Sequence, residues 1–304
     1  MSRTLRILAA ALLVSALVLA GAGYYFSGLV IKPRMWDYQE SFRTEIQKGR
    51  FSRDAFEKLA MEDVYLESPH GYKIHALYFP RKDSRKTVIF SHGFTFTLMG
   101  SIKYIDMFIK RGFNILAYDH RHHGKSGGST VTFGYYEKDD LKACVDWVMA
   151  KTGPGTRVGI HGESMGAAVA LQYAATDPRA AFVIADGSFT DLATMLAFQL
   201  KKDFGLPSFP LVPVASLVSK LRGGMFFGDV SPLRDIPRIG APVMIIHGAA
   251  DAYIPPWMAT RLFDAAGGKK KLYMGPGAGH SESYMNNPAE YDAQVGAFLR
   301  EAGF

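Results

Sequence analysis

The sequence predicts an α/β protein. Its main domain is a mostly parallel, doubly wound sheet with an antiparallel N-terminal hairpin and a small helical cap, and a transmembrane helix stands ahead of it. Three observations predict this. Short apolar runs alternate with helical patterns along most of the chain. One interval between two such runs is too long for a single crossover. No charged residue occurs from Ile7 to Ile31.

The uncharged N-terminal stretch exceeds the roughly 20 residues that cross a bilayer as a helix. Arg3 and Arg6 precede it, and Lys32 and Arg34 follow it. A cleaved signal peptide would use the small residues Ala20-Gly21-Ala22. A retained signal-anchor over 1–31 is preferred, because the apolar run continues through Tyr24, Tyr25, Phe26, Leu29 and Val30. A signal peptide needs nothing apolar after its cleavage site. The expectation is a single-pass cell-membrane protein with the rest of the chain extracytoplasmic. Lys32 and Arg34 narrow the charge asymmetry behind that orientation.

Residues 32–60 are polar and mixed in charge, and read as a helical connector. The main domain then runs over 61–304. Val64 to Leu66 and Lys73 to Phe79 alternate around Ser68-Pro69-His70-Gly71, which is a hairpin pattern. Six apolar runs follow, at Val88–Phe90, Ile115–Tyr118, Val158–Ile160, Phe182–Ile184, Val243–Ile246 and Leu272–Met274. Runs this short and apolar predict central strands covered on both faces. The last helix has Asn287 as N-cap and Pro288 as its first residue, and buries Tyr291, Val295, Phe298 and Leu299. The long interval, 189–240, holds two helical patterns around Pro207, Pro210 and Pro213, which predict the cap. Its apolar residues, from Met195 to Phe227, are expected to line a pocket.

The 304 residues are 48% hydrophobic, enough for one large core. The net charge of +7 is scattered apart from Lys269 to Lys271. With no nucleic-acid-binding motif, no such partner is expected. Cys144 is the one cysteine, so the chain has no internal disulfide and no cysteine zinc site.

The chemistry starts at Gly162-Glu163-Ser164-Met165-Gly166. A strand pattern precedes it and a strong helix former follows, the context of a nucleophile elbow with Ser164 at its tip. Serine needs a base to take its proton. His280 ends the Gly-rich segment Gly275 to Gly279, just after the last strand, and is the candidate. The third member should be an acid that fixes the histidine tautomer. Asp251 is favoured over Asp186, because the order serine, acid, histidine with the acid after this strand is the commonest. Backbone N–H groups of Met165 and Phe94 are the candidate oxyanion donors. His161 and His247 end strands and read as structural. His120, His122 and His123 have no carboxylate cluster to make a metal site with. No metal and no cofactor are expected.

His92-Gly93-Phe94, Asp119-His120-Arg121-His122-His123-Gly124-Lys125-Ser126, Gly162 to Gly166, His247 to Asp251, and Gly277-Ala278-Gly279-His280 occur in that order. This pattern resembles the α/β-hydrolase superfamily, from about Val64 to Leu299. It is most similar to membrane-anchored bacterial cell-surface serine hydrolases, related to single-domain esterases and to the catalytic domain of prolyl oligopeptidases. The resemblance implies the α/β-hydrolase fold and a small-molecule acyl ester or thioester as substrate. A peptidase or amidase of prolyl-oligopeptidase type, and an inactive hydrolase fold used for binding, are the alternatives.

Overall fold

The computed structural model describes residues 2–304. Its strands are β1 Glu62–Glu67, β2 Lys73–Phe79, β3 Lys86–Ser91, β4 Asn114–Tyr118, β5 Arg157–Glu163, β6 Ala180–Asp186, β7 Val243–Gly248 and β8 Lys270–Gly275. They form one sheet in the order β1-β2-β4-β3-β5-β6-β7-β8. β2 pairs antiparallel with β1 and with β4, and all other pairs are parallel.

The helices before and between the early strands are α1 Arg3–Ile31, α2 Tyr38–Gln47, α3 Arg53–Glu57, α4 Ile105–Ile109, α5 Glu137–Thr152 and α6 Met165–Ala174. Those that follow are α7 Leu192–Phe204, α8 Leu211–Gly223, α9 Pro232–Asp235, α10 Trp257–Ala265, α11 Ser283–Asn286 and α12 Pro288–Glu301. Side chains alternate across the strands. Ile89, Val183 and Ile245 join a core with α5 and α6, and Val88, Ile184 and Ile246 join one with α4 and α12. That double coverage is why the central runs are apolar throughout. Cys144 is buried within α5.

The Asn287 side chain accepts the Glu290 N–H at 3.1 Å and caps α12, whose buried stripe is the expected Tyr291, Val295, Phe298 and Leu299. Leu272–Met274 departs from expectation. Its composition predicts a central strand, but β8 is the sheet edge, with Leu272 and Met274 half-buried. A three-residue apolar run reports burial of its own side chains, not lateral position in the sheet. Residues 32–60 do not cross open solvent as a bare connector. The rings of Phe42 of α2 and Phe56 of α3 pack at a tilt 5.6 Å apart, and Phe56 packs on Phe79 of β2.

Over most of its length α1 stands clear of the protein, with residues from Arg3 to about Val18 exposed. Its last third lies along α8. There Gly23, Ser27, Val30 and Ile31 are buried on one helical face. A Cβ on Gly23 would come within 2.6 Å of Val214 Cγ1, so the two helices approach closely at that point.

Candidate active site

Ser164 stands between β5 and α6 with φ 55° and ψ −117°. A non-glycine residue held at positive φ is strained, and surrounding structure must impose it. The glycines on either side explain how. A Cβ on Gly166 would run into the Ser91 carbonyl, and one on Gly162 into the backbone of Gly166. The turn closes so tightly that neither position admits a side chain. The Ser164 N–H donates to the Asp186 carbonyl at 2.7 Å, tying the elbow to β6.

His280 follows β8, and Asp251 follows β7. Their loops interlock: Ala250 N–H donates to the Ala278 carbonyl at 2.9 Å, and a Cβ on Gly248 would strike the Gly279 carbonyl. The side chains then form a chain of contacts. His280 Nδ1–H donates to Asp251 Oδ2 at 2.7 Å, which leaves Nε2 to accept the Ser164 hydroxyl at 2.8 Å. The second Asp251 oxygen accepts the Tyr253 and Ile254 N–H groups, both at 2.8 Å. Burial would raise the pKa of this carboxyl, but hydrogen bonds from His247 and His280 outweigh it and hold it well below the usual range.

Asp186, the other candidate acid, is not brought to His280. Its carboxylate accepts the Tyr291 hydroxyl of α12 at 3.0 Å. Burial, with Glu163 nearby, pushes its pKa up to about 6. Glu163 itself pairs with the buried Lys103 Nζ at 2.6 Å and accepts the Tyr104 hydroxyl.

The candidate oxyanion donors come from two segments, the start of α6 and the loop after β3. Met165 is the first residue of α6, so its N–H has no partner in the helix ladder. Phe94 follows Gly93, which faces the Ser164 Cβ. Histidines brace this loop. His92 Nδ1–H donates to the Gly93 carbonyl at 2.8 Å, and His92 Nε2 accepts the His120 N–H at 3.0 Å. His123 Nε2 accepts the N–H of Thr95 at 3.1 Å, and Thr95 is itself strained at φ 65°. Burial drives the pKa of His92, His120 and His123 down and keeps the rings neutral. Because the Tyr291 hydroxyl gives its proton to Asp186, His161 Nε2–H donates to the Tyr291 oxygen at 2.9 Å.

Two contacts, and the α1 side of the expected pocket, are not legible in the sequence. His247, taken as structural, places Nε2 3.2 Å from Asp251 Oδ2 and 2.8 Å from the Ile254 carbonyl. The spacing of His247 and Asp251 in one tight loop was the available signal. Tyr253 packs its ring against His280 at 4.9 Å. Finally, an apolar cavity of about 310 Å³ lies beside the site. Phe94 and Tyr253 line it next to Ser164 and His280, and Met195, Leu200 and Phe227 line it from the cap interval. Phe26, Leu29 and Val30 of α1 complete its wall. Phe198, Phe209 and Phe226, also expected there, are not among its lining residues.

The eight-stranded sheet, the strained serine between β5 and α6, and the histidine and acid on neighbouring loops define an α/β-hydrolase, and the chain belongs to that superfamily. It is 38% identical to the uncharacterized protein YqkD of Bacillus subtilis over 96% of each chain. Human alpha/beta hydrolase domain-containing protein 17B is 27% identical, over 74% of this chain and 71% of that one. The family model Hydrolase_4, "Serine aminopeptidase, S33", matches residues 82–220. Among solved structures, the Pyrococcus furiosus esterase Pf2001 superposes with a TM-score of 0.67 at 27% identity, covering 83% of this chain and 94% of that one.

Proposed function

We propose that this chain is a serine hydrolase that cleaves carboxylic esters or thioesters through an acyl-enzyme on Ser164. The observation that carries this reading is the hydrogen-bonded sequence Ser164–His280–Asp251, at 2.8 and 2.7 Å. His280 takes the Ser164 proton as the hydroxyl attacks the acyl carbon. Asp251 holds the tautomer that leaves Nε2 free and stabilises the imidazolium. The N–H groups of Phe94 and Met165 receive the oxyanion. His280 then gives the proton to the leaving alcohol or thiol. A water activated by the same ring releases the acid.

The apolar cavity beside Ser164 supports an acyl group as the part recognised. An aminopeptidase reading draws on the description of the matching family model. It competes on the leaving group, not on the nucleophile. In this reading α1 serves as a membrane anchor, with the hydrolase domain extracytoplasmic.

The test is covalent labelling. A fluorophosphonate should label the full-length protein and fail to label Ser164→Ala, whose ester turnover should fall by roughly 10⁴ to 10⁶. Labelling that persists in the variant removes Ser164 from the role. Faster cleavage of aminoacyl amides than of p-nitrophenyl esters would favour the peptidase.

A further inference from the structure

We propose that the N-terminal helix is a wall of the substrate site, and that the enzyme draws its acyl chain from the bilayer in which that helix sits. This rests on the hydrolase reading above and names where its substrate resides.

The argument begins with the cavity. Its lining joins Phe94 and Tyr253, beside Ser164 and His280, to Phe26, Leu29 and Val30 of α1 and to Phe204 and Leu211 at the α7–α8 turn. The acyl pocket therefore runs from residues that adjoin Ser164 and His280 to the place where α1 leaves the protein. The Phe26 and Phe204 rings meet edge-on at 5.3 Å across it.

This part of α1 is held firmly. Arg222 of α8 donates to the Tyr24 carbonyl at 3.0 Å and sets its guanidinium 3.9 Å from the Tyr24 ring centre. At the last residue of the helix, the Ile31 carbonyl accepts the Val131 N–H at 2.9 Å. Trp36 N–H donates to the Thr95 carbonyl at 3.0 Å, one residue from Phe94. The helix end and the candidate oxyanion loop are thus stitched together.

The level of the bilayer follows from the same helix. Residues 7–22, the uncharged part of α1 ahead of the first buried contact at Gly23, span about 24 Å at 1.5 Å per residue, most of the roughly 30 Å of a hydrocarbon core, with Arg3 and Arg6 at its far edge. Tyr24 and Tyr25 follow at once and are exposed, as aromatic side chains are at a membrane interface. At this same end of the helix, the α7–α8 turn exposes Phe204, Leu206 and Phe209, the last 77% exposed. A bilayer around α1 covers these side chains, and the pocket beside them then opens into lipid. A long acyl chain can fill the cavity with its ester end and leave the remainder in the bilayer.

The test uses the full chain in phosphatidylcholine vesicles with two substrates: p-nitrophenyl palmitate, which stays in its vesicle, and p-nitrophenyl butyrate, which dissolves. Palmitate should be cleaved at least about tenfold faster when enzyme and substrate share vesicles than when they occupy separate ones. The double variant Phe26→Ala, Leu29→Ala should lower the palmitate-to-butyrate ratio of kcat/KM by about tenfold, as lost apolar contact requires. Phe209→Asp should lower the same ratio through poorer seating on the bilayer. Fluorophosphonate labelling shows that each variant is folded with its nucleophile intact. A wild type that labels and cleaves butyrate, but cleaves palmitate equally in shared and separate vesicles, overturns the bilayer route and leaves the hydrolase reading standing. A wild type that neither labels nor cleaves overturns both.

Discussion

His247 and His280 approach the same carboxylate oxygen, Asp251 Oδ2, from two sides, at 3.2 and 2.7 Å. Asp251 is thereby held by His247, near the end of β7, as it bonds His280. Burial opposes protonation of His247, but its bonds to Asp251 and the Ile254 carbonyl outweigh that and raise its pKa. We assign His247 as a positioning residue. His247→Gln should lower kcat by about 10- to 100-fold with little change in KM, as expected for a group acting through a second one. It should also move the acid limb of the pH–rate profile. A loss of thermal stability with an unaltered pH profile would make the role purely structural.

The two candidate acids separate by substitution. Asp251→Asn should cost roughly 10⁴ in kcat, because the wrong tautomer of His280 is then favoured. Asp186→Asn should cost little, since Asp186 bonds Tyr291 and not His280. The opposite ranking in ester kinetics would move the acid to the end of β6.

Asp186 should show itself in stability. Its pKa is raised from 3.8 to about 6 by burial, so the folded protein binds this proton more tightly than the unfolded chain does. Its contribution therefore makes stability fall as pH rises from about 4 to 6, and stays flat above that. Asp186→Asn removes the cost of the buried charge. The variant should be more stable than wild type at pH 8 by up to about 3 kcal/mol and nearly equal to it at pH 4. Denaturant midpoints at the two pH values decide it; a difference that does not vary with pH contradicts the assignment.

Two truncations distinguish an anchor from a wall. A chain beginning at Gly23 loses the exposed part of α1 and keeps Phe26, Leu29 and Val30. It should leave the membrane and still bind medium acyl chains. A chain beginning at Lys32 loses the wall as well, and its KM for those esters should rise about tenfold or more. Equal KM values for the two truncations would separate α1 from the pocket. Protease shaving of intact cells tests the side on which the domain lies, with cleavage expected from outside.

For dissolved esters, kcat/KM should climb with chain length by up to about 0.8 kcal/mol per methylene until the cavity is full, then fall. A p-nitrophenyl series from acetate upward measures this. A profile flat with chain length would deny the cavity its role as the acyl site.

What the sequence alone determined was local. Strand, tight glycine turn and helix around Ser164 are set within about ten residues, because a Cβ on Gly162 would strike the turn's own Gly166 backbone, whereas Gly166 is kept bare by the Ser91 carbonyl of β3. The capped start of α12 and the buried central runs are legible for the same reason: each depends on its own neighbours. The apolar stretch from Ile7 to Ile31 is legible as a helix long enough to cross a membrane. The tertiary structure decided what joins distant segments. Ser164 and His280 are 116 residues apart, and their contact depends on the parallel register of β5 to β8. Asp186 ends β6 and Asp251 follows β7 in the next loop, and the two look alike in sequence. Only the interlocking of the β7 and β8 loops puts Asp251 against His280, while α12 claims Asp186. The pocket wall is the clearest case. Phe26, Leu29 and Val30 look like lipid-facing residues of an anchor, and the packing of α1 along α8 makes them line the cavity beside the loops of Phe94 and Tyr253, with Val30 buried and Leu29 still 44% exposed. No periodicity within a uniformly apolar helix marks which face a second helix covers.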